Sequence, residues 1–264
     1  MYEFNYQQAA SLEEAAKFLG ANEDAKLVAG GMTLIPTLKQ RLAKPSDLID
    51  LASISSLKGI KEESGGVTIG AMTRHAEVNR SDIVRRVIPA LSALAGMIGD
   101  PAVRNRGTIG GSISNNDPAA DYPAALVALG ATVITTKREI GGEEFFTGMF
   151  ETALGQDEIV TAVKFPRPEK AAYMKFKNPA SRYAIVGVFV AKTAGGVRVA
   201  VTGAGPCVFR VLEMEAALDK SFAPDAIKDI AIPDHGLNSD IHASAEYRAH
   251  LVNVMARRAV TACG

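Results

Sequence analysis

The sequence predicts an α+β protein of three packed units, the last an antiparallel sheet carrying helices on one face. Three observations predict it. Helical and strand periods alternate within residues 1–53; residues 54–168 interleave a hairpin and small-residue helices with a polar, glycine-rich stretch; from Ala171 onward β-branched runs come first and helix formers after. No repeat and no low-complexity tract is present, so boundaries come from punctuation and changes of period.

Residues 1–53 read as a compact βαβ unit. SLEEAAKFLGAN is a short amphipathic helix with Ser11 as N-cap, Glu14 completing a capping box and Gly20 closing it. A strand follows, Lys26 to Ala29. After Gly30-Gly31 the run LIPTLKQRL is helical, and Pro45 stops it before the apolar strand DLIDLA. Residues 54–168 open with LKGIKEESGGVTIGAM, two strands around a Gly65-Gly66 hairpin. TRHAEV starts a helix, with His75 just inside it and read as structural, and Pro89 starts the helix PALSALAGMIG. The stretch DPAVRNRGTIGGSISNNDPAAD is too polar for a core. Beyond it Asp121 is placed to N-cap YPAALVAL, Gly130 ends that helix, and ATVITT is a strand. FPRPEKAA reads as a hinge into residues 171–264, where YMKF, YAIVGVFVA and GVRVAVTGA form the sheet. The terminal helix SAEYRAHLVNVMARRAV places Tyr247, Leu251, Val254 and Met255 on its packed side.

Composition narrows the function. Of 264 residues, 47% are hydrophobic and 22% charged, enough to bury a large core. Basic and acidic residues both number 29, so bulk charge favours neither nucleic acid nor an anionic membrane as partner. The start, MYEFNYQQAASLEEAAKFLG, has no basic n-region or apolar h-region, and no apolar run reaches the roughly 18 residues of a membrane span. A cytoplasmic location is the expectation. The two cysteines, Cys207 and Cys263, are too few for an iron–sulfur cluster, which takes about four thiolates. His75, His235, His242 and His250 lack metal-ligand spacing, so no metal site is expected in this chain.

Two glycine turns carry the chemistry. Ala29-Gly30-Gly31-Met32-Thr33-Leu34 sits where a strand hands over to a helix, so a phosphate can approach without meeting a Cβ and find successive N–H groups. Alone, such a turn reads first as a tight bend without a ligand. Gly107-Thr108-Ile109-Gly110-Gly111-Ser112 repeats the pattern, and Asn115, Asn116, Asp117 and Asp121 follow it with amides and carboxylates that suit the hydroxyls of a dinucleotide. Neither turn is a Rossmann fingerprint: Gly203-Ala204-Gly205 begins one, but Val208 stands where the third glycine belongs, and no P-loop occurs.

The segments LVAGGMTLIPTLK, IGAMTRHAEV, DPAVRNRGTIGGSISNNDPAADYPAAL, DEIVTAVKFP and FKNPASRYAIVGVFVA occur in the order seen in the FAD-binding subunits of the xanthine dehydrogenase and carbon monoxide dehydrogenase family, which this chain resembles over nearly its whole length. The resemblance implies a two-lobed FAD-binding domain of the vanillyl-alcohol oxidase (PCMH) type followed by a C-terminal α+β domain. It implies that Ala29 to Leu34 cradle the FAD pyrophosphate, with Leu27 and Val28 leading in, and that Thr108 to Ser112 form a second clamp. Asp121 matches an acid that binds FAD, Ile98 and Val160 match flavin contacts, and Lys177 matches a lysine placed near the flavin. On the residues alone, Asp121 also reads as an N-cap and Lys177 as a solvated strand lysine. Ile98 departs from relatives with an aromatic there, and Ser181-Arg182-Tyr183 departs from a Gly-Asp-Tyr or Gly-Asp-Trp pattern.

In assemblies of that family a molybdenum subunit oxidises the substrate, [2Fe-2S] clusters pass electrons on, and FAD delivers them to a terminal acceptor. The resemblance therefore implies partners: a large subunit with the molybdenum cofactor and a small iron–sulfur subunit, in a heterotrimer. NAD, a quinone and oxygen all stand open as acceptor. No catalytic side chain is expected, because the redox chemistry belongs to the cofactor. The rival readings are a stand-alone flavin-dependent reductase on the same fold and an FAD-free scaffold subunit.

Overall fold

The computed structural model describes residues 1–63 and 65–264. The first lobe holds β1 (Asn5–Gln8), α1 (Leu12–Ala21), β2 (Lys26–Val28), α2 (Leu34–Lys39) and β3 (Asp47–Asp50). Its three strands form a parallel sheet in the order β1-β3-β2. Sequence reading had βαβ; β1 escaped it because NYQQ has no apolar alternation and stays largely exposed. Ser11 accepts from Glu14 N (3.2 Å) as expected, but the Glu14 carboxylate reaches past Ser11 to Ala10 N (2.7 Å). Gly20 does not close the helix, which runs on to Ala21 and ends at Asn22 in extended backbone.

The second lobe is built on a five-stranded antiparallel sheet in the order β4-β5-β10-β6-β7, from β4 (Ile60–Glu63), β5 (Gly66–Gly70), β6 (Thr132–Thr135), β7 (Glu139–Gly141) and β10 (Val160–Pro166). Ser64, in the expected hairpin, lies outside the described residues. Six helices interrupt the chain between β5 and β6: α3 (His75–Arg80), α4 (Asp82–Val87), α5 (Pro89–Gly96), α6 (Pro101–Arg104), α7 (Ile109–Asn115) and α8 (Tyr122–Leu129). After β7 come α9 (Gly142–Phe145) and the small ladder of β8 (Phe146–Gly148) with β9 (Glu151–Thr152). Met72 and Ile159 of this lobe join the core of the first, so the two lobes share apolar contact.

The C-terminal sheet runs β11 (Lys170–Lys177), β12 (Ala184–Thr193), β13 (Gly196–Thr202) and β14 (Phe209–Arg210), all antiparallel. Both its faces are covered. Val186, Val188 and Val190 pack with Leu251, Val252 and Met255 of α11 (Ala245–Ala262) and with Met214 of α10 (Leu212–Lys220). Tyr173, Phe189, Ala191 and Ala200 face the second lobe. Covering on both faces explains why β12 reads as one continuous apolar run, as strands buried on two sides do. It also explains α8, whose residues are all buried between the second lobe and this sheet. Tyr247 corrects the reading of α11: it is exposed, meeting Phe176 edge-on at 6.1 Å, while Arg248 one position on is buried. No helix is long and apolar enough to cross a membrane among the described residues.

His75 ties α3 to this packing. Its N–H donates to Gly107 O (3.0 Å), its ring lies 5.4 Å from that of Tyr122, and its buried Nδ1 has no partner. Burial, with the nearby Arg104 charge, lowers its pKa from 6.5 to about 4. The folded chain thus refuses a proton that the unfolded chain accepts below about 6.5, so stability is full above that pH and falls as pH drops toward 4. Thermal unfolding between pH 7 and pH 4.5 is expected to show this loss, at most roughly 3 kcal/mol from this group, and His75→Gln is expected to flatten the profile.

Candidate functional site

A cleft of about 770 Å³ opens where the two lobes and the C-terminal sheet meet, within the size range of cofactor sites. Its wall begins with the first glycine turn. Gly31 has φ +70°, a left-handed conformation that glycine adopts freely. A Cβ on Gly30 would lie 2.2 Å from Arg106 O and 2.8 Å from Gly107 Cα, so the turn and the backbone before the second motif touch directly. The N–H groups of Gly30, Gly31, Met32, Thr33 and Leu34 find no protein acceptor among the described residues. Consecutive unmet amides lining a cleft form a receptor for an anionic oxygen.

The second motif is built differently. Thr108 is the N-cap of α7, and Gly110 and Gly111 lie inside the helix rather than in a turn. Its amides are already satisfied: Ile109 N donates to Thr73 O (3.1 Å), Gly110 N to Ala71 O (2.8 Å), Gly111 N to Thr108 Oγ1 (3.2 Å) and Ser112 N to Thr108 O (3.0 Å). This motif therefore offers the cleft a close, side-chain-free wall and hydroxyls, not a second row of free amides.

Of the residues singled out from sequence, Leu27, Ala29, Gly30, Gly31, Met32, Thr33 and Leu34 line the cleft from the first lobe. Ile98, Thr108, Gly110, Gly111, Ser112, Asn115, Asp121 and Val160 line it from the second. Val28, Ile109 and Lys177 do not appear in its wall. Val28 is the last residue of β2, Ile109 is fully buried in the core, and Lys177 is exposed at the end of β11.

Asp121 is 4% exposed, and although it stands at the N-cap position of α8 its side chain makes no cap hydrogen bond. Instead Tyr173 donates its hydroxyl to one carboxylate oxygen, and Lys175 Nζ lies 2.9 Å from the other and 3.2 Å from Met97 O. Burial raises the Asp121 carboxyl above its ordinary range, opposed by the Lys175 ammonium and the Tyr173 hydroxyl. Tyr173 and Lys175 went unnoticed in the sequence, yet their spacing of two puts them on one face of β11. Lys177 lies two residues further on, exposed at the end of β11 opposite a bulge in β12, where Phe176 pairs with Val186 and Lys177 with Ala184.

The remaining wall includes Asp117 and Tyr183, both noted in the sequence, and Phe150, which was not. Asp117 lines the cleft with its carboxyl pushed up by burial, and Tyr183 lines it with its phenol raised by burial and by the Asp117 carboxylate. Phe150 lines it in a left-handed conformation, φ +57°, a strain of about 1–3 kcal/mol for a bulky side chain. No local pattern in GMFET announces that conformation. No group of acidic, histidine or cysteine side chains is arranged to hold a metal ion among the described residues.

Comparison with known proteins gives the family. Residues 2–168 match the model of the FAD binding domain in molybdopterin dehydrogenase, and residues 171–263 that of the CO dehydrogenase flavoprotein C-terminal domain. The chain is 37% identical to the glyceraldehyde dehydrogenase medium chain of Sulfolobus acidocaldarius, over 97% of each protein. It is 34% identical to the carbon monoxide dehydrogenase medium chain of Hydrogenophaga pseudoflava, covering 98% of this chain and 96% of that one. Among solved structures, carbon monoxide dehydrogenase from that organism superimposes with a TM-score of 0.90 at 35% identity, over 99% of this chain and 97% of the other. With both halves matched and the fold shared end to end, the chain belongs to the FAD-binding medium subunits of the molybdenum hydroxylases, subunits of oxidoreductase complexes.

Proposed function

We propose that the cleft is the FAD site and that this subunit takes electrons from [2Fe-2S] clusters on a small partner subunit, fed by a large molybdenum-cofactor subunit, and hands them to a terminal acceptor in the cytoplasm. The observation that carries the reading is the row of five unmet amides from Gly30 to Leu34, beside a glycine that brings the two motifs into backbone contact. A pyrophosphate presents oxygens that accept such hydrogen bonds, and a Cβ at Gly30 would push the two motifs apart. The residues present fit the group. Bound there, FAD supplies the redox chemistry that links the clusters to the acceptor.

The chain's own residues bind and orient. Gly30 to Leu34 receive the phosphates, while Thr108, Ser112 and Asn115 offer polar groups to the sugar and ribityl hydroxyls. Ile98 and Val160 give apolar walls. Asp121, held by Tyr173 and Lys175, presents a fixed carboxylate that accepts hydrogen bonds without swinging. Lys177, exposed at the end of β11, stands outside the wall as described. The division we propose is 1–53 and 54–168 for the two lobes of the FAD domain and 171–264 for the C-terminal domain that carries Lys175.

The protein affinity-purified from its native host is expected to show flavin absorption together with iron–sulfur bands and two partner chains identified by mass. Flavin alone with substrate turnover would instead make it a stand-alone reductase, and a colourless preparation that takes up no FAD would make it a scaffold. Gly30→Ala is expected to weaken FAD binding at least about tenfold, measured by titrating the apo-protein and following flavin fluorescence. Lys175→Met strands the buried Asp121 carboxylate and is expected to lower stability by about 3 kcal/mol in denaturant unfolding. Adding Asp121→Asn should recover part of that loss.

A further inference from the structure

Backbone strain is concentrated around the cleft. Among the described residues, four besides glycine have positive φ: Arg41 (61°), Asn116 (42°), Phe150 (57°) and Arg182 (63°). Phe150 and Arg182 line the cleft, and Asn116 holds Phe150 in place. Phe150 N donates to Asn116 O (3.1 Å), while Asn116 Nδ2 donates to Gly148 O (2.8 Å) and Glu151 O (2.7 Å) on either side of the hairpin tip. Asn116 is 1% exposed, so the clamp is part of the fixed interior.

The clamp does not serve to bury the phenylalanine. Phe150 is 56% exposed, with its ring left at the cleft wall. A left-handed backbone is unfavourable for a bulky residue and is retained where surrounding structure imposes it, commonly at ligand clamps. Here a buried asparagine imposes it, donating two hydrogen bonds to the flanking carbonyls and accepting one from Phe150 N. Ile98 in the wall is aliphatic and His75 is buried, so Phe150 and Tyr183 are the exposed aromatic rings lining the cleft.

We infer that Phe150 is a cofactor-contact residue, held out by the Asn116 clamp so that its ring packs against a planar aromatic ring of the bound dinucleotide. The inference rests on the reading of the cleft as the FAD site. Stacking on an aromatic side chain tolerates any planar heterocycle, so adenine and isoalloxazine share the chemistry.

The test is titration of the full-length apo-protein with FAD, followed by flavin fluorescence, alongside thermal unfolding without ligand. Phe150→Leu, which keeps bulk and removes the ring, is expected to weaken FAD binding about tenfold with an unchanged apo unfolding temperature. Phe150→Tyr should restore binding. Phe150→Gly, which relieves the left-handed strain, should unfold at or above the wild-type temperature yet bind FAD as weakly as the leucine variant. Titration with FMN and competition by ADP separate the two rings: a loss shared by FMN assigns the isoalloxazine, and a loss shared by ADP assigns adenine. Wild-type FAD affinity in both the leucine and glycine variants would overturn the inference while leaving the FAD site intact. A wild-type chain that binds no FAD would overturn the site and the inference together.

Discussion

At Gly30 two segments of backbone lie too close for any side chain between them. The carbonyl of Arg106 and the Cα of Gly107 occupy the space where a Cβ would stand. This contact joins the parallel sheet of the first lobe to the helix-rich insertion of the second, and the cleft exists because the two motifs converge there. Left-handed Gly31 follows at once and turns the chain into α2, leaving five consecutive amides without an acceptor among the described residues. The second motif uses its glycines for a different end, since Gly110 packs a bare helix start against Ala71. Two sequences that look alike thus do unlike things: one leaves its amides open, the other closes them against its own lobe.

The third unit completes the site through packing. Helix α8 is apolar all round because one side meets the second lobe and the other meets the C-terminal sheet. Asp121 stands at the start of that helix, so the packing that orders α8 delivers a carboxylate to the cleft. The same sheet answers it with Tyr173 and Lys175 two residues apart on β11. A buried carboxylate without those partners would be driven toward its neutral form. The C-terminal domain therefore opposes the effect of burial on a carboxyl of the N-terminal domain, which couples the two domains through Asp121.

Much of this was legible in the sequence, and the failures have causes. Strands with strong β-branched content and the two glycine motifs follow from local pattern, while Leu27, Ile98 and Val160 in the cleft wall came from the family resemblance. The first strand, NYQQ, carries no apolar period because it is an edge strand left largely exposed. Lys177 was placed near the cofactor by the resemblance alone, while the lysine that reaches Asp121 is Lys175, two residues earlier on β11. The helical setting of Gly110 and Gly111 was hidden because glycine is a poor helix former; Thr108 capping and tertiary hydrogen bonds to Ala71 and Thr73 override that preference. The left-handed Phe150 depends on a clamp from Asn116, 34 residues earlier in the chain, and no local pattern encodes it.

The charge arrangement of the cleft follows from the same division of labour. Lys26 and Arg182 are the basic lysine and arginine side chains in its wall, against Glu23, Asp117 and Asp121. A wall with this balance has little bulk attraction for a doubly charged pyrophosphate, and the neutral whole chain adds none. Backbone amides must then supply the recognition, and they can, because their partial charges are fixed in direction by the turn and need no counter-ion. A lysine clamp in their place would bring mobile positive charge close to Asp117 and Asp121 and pull both carboxyls down. With the phosphates met by backbone, Asp117 keeps a pKa raised by burial and Asp121 answers to Lys175 alone among the charged groups that perturb it. Phosphate recognition and carboxylate tuning are thereby kept electrostatically separate within a single cleft.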